Sequence, residues 1–163
     1  MEAFILFHVV LSLAGILSGF VVLAGLISDQ RLDRWTAIFL ATTVATSLTA
    51  FCFFPFDGFT RGQVVAILSM VLLSLAIFGR YARGLSGGWR KTYVISAVAS
   101  LYLNCFVLIV QSFEKVPALK AAAPTQADPP FKIAQGITLV LFVVAGIFAA
   151  KRFRGGQPPA AVP

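Results

Sequence analysis

The chain has 163 residues, of which 59% are hydrophobic and 12% charged, too little charge to clothe a soluble domain of this size. Its net charge of +7 is scattered in short segments between apolar runs, which sets nucleic acid aside as a partner. Cys52 and Cys105 form no C-x-x-C pair, so zinc and thioredoxin-like chemistry lack their spacing. Both lie inside apolar runs, where a cysteine acts as a small hydrophobe. A disulfide between them is the alternative.

The apolar runs are near the length of about 20 residues that crosses a hydrocarbon core of about 30 Å. Taken in order, they predict helices over 3–27, 35–54, 62–79, 92–113 and 131–150. No basic segment precedes the first run, which therefore reads as a helix with a translocated N-terminus rather than a cleavable signal. Pro55 and Asp57-Gly58 stop the second, and a basic, glycine-rich loop from Arg80 to Lys91 follows the third. The connection 114–130 holds Pro117, Pro124, Pro129 and Pro130, which exclude another span. Pro117 is suited to open a short helix in this outer cap. Residues 155–163 read as a disordered tail.

The expected fold is all-α: a polytopic membrane protein, a five-transmembrane-helix bundle over 1–154. Charge orients it. Arg31, Arg34, Arg80, Arg83, Arg90, Lys91, Lys151, Arg152 and Arg154 fall on one side, nine of the chain's 13 basic residues. The positive-inside rule then predicts N-out and C-in. Trp35 and Trp89 sit at the inner interface, where indoles anchor.

Polar residues inside apolar helices need partners. In the fourth helix Asn104 and Gln111, seven residues apart, share a face with Ser96, Ser100 and Lys115. His8, the single histidine, shares its face with Ser12, Gly15 and Gly19, and Gly15-x-x-x-Gly19 permits close helix approach. Gln111 or Asn104 are the expected partners of His8. Thr42, Thr46 and Thr49 are expected to bond back to their own helix. Phe51, Phe53, Phe54, Phe56 and Phe59 surround Asp57 as an aromatic belt or a pocket wall.

The stretch Tyr102-Leu103-Asn104-Cys105-Phe106 through Gln111-Ser112-Phe113-Glu114-Lys115-Val116-Pro117, with Ala123-Pro124-Thr125-Gln126 and Pro129-Pro130-Phe131, resembles a group of small integral proteins of the bacterial inner membrane. The resemblance implies that location, with a periplasmic or extracellular N-terminus and a cytoplasmic C-terminus, and a compact helical bundle. It carries no activity and no catalytic residue across.

The leading expectation is a non-enzymatic protein whose outer-leaflet pocket binds a lipid-like or quinone-like molecule. His8, Ser12, Asn104, Gln111, Lys115 and Gln135 would supply polar contacts, with Phe53 and Asp57 at the wall. No metal or resident cofactor is expected, and one histidine is a poor basis for haem. The other classes are a small transporter or proton-coupled channel, an accessory subunit packing on a larger complex through Gly15 and Gly19, a redox protein using the two cysteines, and a homo-oligomer.

Overall fold

The computed structural model describes residues 2–52 and 61–155, apart from the Cys52 side chain. Six α-helices occur among them and no strand: α1 Glu2–Ile27, α2 Asp33–Cys52, α3 Arg61–Ile77, α4 Trp89–Lys115, α5 Pro117–Ala122 and α6 Pro129–Arg152. A π-helical turn, Phe78–Ala82, prolongs α3. Phe53, Asp57 and the tail beyond 155 lie outside the described residues.

The distribution of side chains is inverted relative to a water-soluble bundle. Leu6, Leu17, Val64, Ile95, Val140 and Leu141 are exposed, while Thr36, Thr43, Ser47, Ser69, Ser96, Ser100, Gln63 and Arg80 are buried. In hydrocarbon, large apolar side chains outside cost nothing, and small or hydrogen-bonding residues inside let helices approach. Four helical segments are long and apolar enough to cross a membrane: Glu2–Ile27, Arg61–Ala82, Trp89–Lys115 and Pro129–Arg152. The chain is accordingly a multi-pass membrane protein. The fifth expected span, α2, falls outside that set. Its Thr36, Thr42, Thr43, Thr46, Ser47 and Thr49 dilute its hydropathy.

Four helices form a ring. α1 packs on α2, α2 on α3, α3 on α4, and α4 on α1. The backbones of α2 and α4 barely approach each other, so these two stand diagonally and meet through side chains in the middle. α6 lies outside the ring against α4 and α1, burying only Phe131, Phe142 and Ala149.

Directions follow from paired residues. Asp33 and Arg80 meet at one end of the bundle, hereafter the Trp89 end. His8 and Thr49 meet toward the other, the Lys115 end. Between them, Asn104 of α4 reaches Thr43 of α2. Gly15 and Gly19 permit these approaches: a Cβ on Gly19 would lie 2.5 Å from Leu101 Cδ1 and 3.0 Å from the Phe39 ring. The Gly15-x-x-x-Gly19 face is thus consumed inside the chain. It is not a surface for docking on a larger complex, which corrects that expectation.

Two helix ends differ from the sequence reading. α4 starts at Trp89 rather than at 92. The third helix continues through its π turn to Ala82, so Arg80 belongs to a helix and not to a loop. Leu85, with φ of 62°, turns the chain back toward α4. It is 8% exposed, so core burial offsets the cost of that conformation.

Candidate functional site

The expected site residues separate into three places. His8 is half-buried, and its Nδ1 lies 2.7 Å from Thr49 Oγ1. The Thr49 hydroxyl also lies 2.9 Å from Ala45 O and 3.0 Å from Thr46 O. Thr49 is thus a partner of His8, where Gln111 or Asn104 was expected. Asn104 donates through Nδ2 to Thr43 Oγ1 at 3.3 Å. Both polar groups tie the ring together, which is the commonest work of such groups in membrane helices.

Gln135 is elsewhere, in the seam between α4 and α6. Its Nε2 donates to the Phe106 carbonyl at 3.1 Å, and its Oε1 is buried without a hydrogen-bond partner. Gln111 and Lys115 are exposed on the last turns of α4, and Ser12 is partly buried on α1. These residues do not converge on one pocket. A shared helical face says nothing about which neighbour covers it.

Of the threonine stripe, Thr42 and Thr49 bond back to their own helix, as expected, to Ile38 O at 2.7 Å and Ala45 O at 2.9 Å. Thr46 does not; its hydroxyl is buried without a partner. Cys105 is a buried free thiol, and the Cys52 side chain of the alternative disulfide lies outside the described residues.

A pocket does form at the Lys115 end, built by the cap. Pro117 opens α5 at its first turn, where a missing N–H costs no hydrogen bond. The loop that follows turns on Asp128. α6 begins with Pro129 and Pro130, whose nitrogens carry no hydrogen, and the Asp128 carboxylate makes no capping bond to the helix. It accepts instead from Thr125 N at 2.7 Å and Thr125 Oγ1 at 2.8 Å. These two bonds, the backbone one first, hold the Asp128 carboxyl below its ordinary pKa. Ala127 N donates to Thr125 Oγ1 at 3.3 Å, closing the turn.

Gln126 then bridges inward. Its Nε2 donates to Glu114 Oε1 at 3.3 Å, and its Oε1 accepts from Arg61 at 3.5 Å. The result is a cavity of about 360 Å³ between the end of α4, α5 and the start of α6. Val110, Phe113, Ala123, Pro124 and Phe131 form its apolar surface, and Glu114, Lys120, Thr125 and Gln126 its polar one. Phe113 and Phe131 meet edge to face, centroids 5.5 Å apart. Volume and mixed lining suit a small amphipathic molecule.

Further along the same pair of helices runs a groove of about 320 Å³, lined by Ile95, Val98, Tyr102, Phe142, Gly146 and Ala150 among others. Tyr102 is the one lining residue with a polar side-chain atom. It lies about 16 Å below Phe113 by helical rise, roughly one leaflet's depth. Tyr102, Phe113 and Ile95 share one face of α4, so cavity and groove belong to a single α4–α6 seam.

The most enclosed charge is at the opposite end. Arg80 donates to Tyr93 Oη at 3.1 Å and to the Asp33 carboxylate, and its guanidinium lies 5.2 Å from the Tyr93 ring centroid. Its side chain is 1% exposed against 69% for Asp33. Asp33, Arg80 and Tyr93 join α2, α3 and α4.

Two groups of residues were missed in the sequence. Arg80 looked like one more inner-loop cation, and only its position four residues before Gly84, the first glycine of the loop, hinted at a helical place. The cap residues Val110, Thr125, Gln126 and Phe131 had a readable signal in Thr125-x-x-Asp128 before two prolines, the spacing of a self-bonded turn. Comparison of the chain with protein-family models, with curated proteins and with solved structures found no match.

Proposed function

We propose that this is a non-enzymatic protein of the bacterial inner membrane that holds a lipid-like or quinone-like amphipathic molecule at its Lys115 end. The observation that supports this reading is the cap cavity, with apolar walls facing the α4–α6 seam and polar groups toward the cap. The head of the molecule occupies the cavity, and its apolar body follows the seam toward Tyr102. The binding set is then Val110, Phe113, Lys120, Gln126 and Phe131, in place of His8, Asn104 and Gln135.

In the same reading α2 is a fifth span. Its residues pair with α4 and α1 over nearly the whole height of the ring, from Asp33 at one end to Thr49 near the other. Back-bonded hydroxyls lower its cost in hydrocarbon. Nine basic residues gather at the Trp89 end, which favours N-out and C-in. A conduit through the ring is less well supported. Phe39 and Leu101, each 1% exposed, separate the Thr43–Asn104 layer from the Arg80–Tyr93 layer.

Native mass spectrometry of the purified protein tests the proposal through two variants. Val110→Trp fills the cavity floor and is expected to release the co-purifying amphipathic molecule, whereas His8→Leu keeps it. Release by His8→Leu with retention by Val110→Trp would refute the cap as the site.

A further inference from the structure

We infer that the groove between Tyr102 and Ala150 binds an anionic phospholipid, with one acyl chain along the groove and the head held at the Trp89 end by Lys91 and Lys151. This site is separate from the cap and does not depend on what the cap holds. The groove has the dimensions of a chain. From Leu139 to Ala150 it runs about 16 Å by helical rise, close to half of a hydrocarbon core of about 30 Å. Its volume of about 320 Å³ over that length corresponds to a cross-section of about 20 Å². That admits one hydrocarbon chain and is far too narrow for a helix about 10 Å across. Ala99, Gly146 and Ala150 keep it open, and a Cβ on Gly146 would already touch Val98 Cγ1 at 3.4 Å.

Charge selects the head. Lys91 stands one turn before Ile95 on α4, and Lys151 one turn after Ile147 on α6, so both share the groove's face at its Trp89 end. Both are exposed, and neither joins an ion pair among the described residues. α6 contains no acid, and the one acid of α4, Glu114, is at the opposite end. The Trp89 end as a whole carries nine basic residues against two acids, Asp29 and Asp33, and so holds the chain's entire net charge of +7. Asp33 is paired with Arg80 and Arg31, and Asp29 accepts from Arg154 N. Topological bias alone places cations anywhere around this end. Two of them flanking the mouth of an apolar groove have the layout of a lipid site, with the chain in hydrocarbon and the phosphate among cations.

Native mass spectrometry of the full-length protein, in detergent with equal phosphatidylglycerol and phosphatidylcholine of matched chains, tests this. Phosphatidylglycerol, with one net negative charge, is expected to be retained roughly fivefold over the zwitterion, the size of two exposed charge pairs. Lys91→Gln/Lys151→Gln is expected to retain both lipids equally. Arg34→Gln/Arg83→Gln removes the same charge from the same end, but from α2 and the turn after α3, which do not pack on α6, and is expected to keep the preference. Gly146→Leu fills the groove and is expected to lower retention of phosphatidylglycerol severalfold.

Equal retention of the two lipids by the parent, or equal loss of preference in both double variants, overturns the site; the second result means that only the general field of this end acts. Gly146→Leu holding phosphatidylglycerol as the parent does overturns the groove as the place of the chain. Val110→Trp, which fills the cap, is expected to leave the preference unchanged, so the cap reading can fail while this one stands. Loss of the preference in Val110→Trp would move the lipid to the cap and overturn the assignment to Lys91 and Lys151.

Discussion

Removing Asp33 should harm the fold more than removing Arg80, although Arg80 is the buried partner. The Arg80 guanidinium has a Tyr93 bond, an Asp33 bond and a buried Nε without a partner. In Asp33→Asn the cation keeps its place and loses its counter-charge. Breaking a fully buried pair costs about 3–5 kcal/mol. Asp33 is 69% exposed, so water replaces part of what the carboxylate supplied, and about 2 kcal/mol is the appropriate size. Its second pairing, to Arg31 at 3.2 Å, is a surface contact and adds little.

Arg80→Met removes charge and donors together and keeps a stem of similar length. It forfeits the hydrogen bonds to Tyr93 and Asp33 and the contacts with the Tyr81 and Tyr93 rings but leaves no buried charge behind, about 1 kcal/mol in all. For a chain of this length each kcal/mol is worth roughly 2–4 °C, so Asp33→Asn is expected to lower Tm by about 4–8 °C and Arg80→Met by half as much. Thermal unfolding in a mild detergent, followed by circular dichroism, gives both numbers. The double variant should resemble Arg80→Met alone. A larger loss in Arg80→Met than in Asp33→Asn would refute the reasoning, because it would mean that the charge is held by the ring and not by its carboxylate.

Gly19→Ala places a methyl 2.5 Å from Leu101 Cδ1 and is expected to cost about 1–3 kcal/mol, visible as a fall in Tm, while Gly146→Ala, 3.4 Å from Val98, leaves Tm unchanged. The cap turn should depend on pH through Asp128. Its folded carboxyl is depressed, so the turn's contribution is complete above the ordinary carboxylate pKa of about 3.9 and disappears as pH falls through the lower folded value. Amide exchange at Ala127 and Asp128 checks this; protection unchanged from neutral pH to about pH 2 would contradict it. If α2 crosses the membrane, reporters fused before α1 and after α6 lie on opposite sides, and reporters on the same side would remove the fifth span.

Much of the helical frame was legible, because runs such as Ala3 to Ile27 and the prolines after Lys115 are signals carried within a single segment. The site was not, and for one physical reason. Periodicity places His8 with Gly15, or Asn104 with Gln111, on a face of a helix, but the partner depends on which helix stands opposite. α2 stands diagonal to α4, so Asn104 finds Thr43; α1 lies beside α2, so His8 finds Thr49. Arg80 was misjudged because its charge was weighed as topology. A π turn, which no hydrophobic pattern announces, carries it into the core. The cap cavity arises from local turn chemistry at Thr125 and Asp128, where no apolar run exists to draw attention.

The peripheral position of α6 has a consequence for how the protein is assembled. α1 to α4 precede α6 in the chain and close on one another without it, and α6 adds one narrow face to that surface. Its far end is tied by Phe153 against Tyr93, centroids 6.1 Å apart, and by Arg154 N donating to Asp29 Oδ1 at 2.6 Å. Phe153 is 1% exposed, so this end is anchored, while the rest of α6 buries little against the ring and opens at lower cost. On the function proposed above, the α4–α6 seam is a door hinged at the Trp89 end, through which a molecule already dissolved in the bilayer would enter sideways without crossing water.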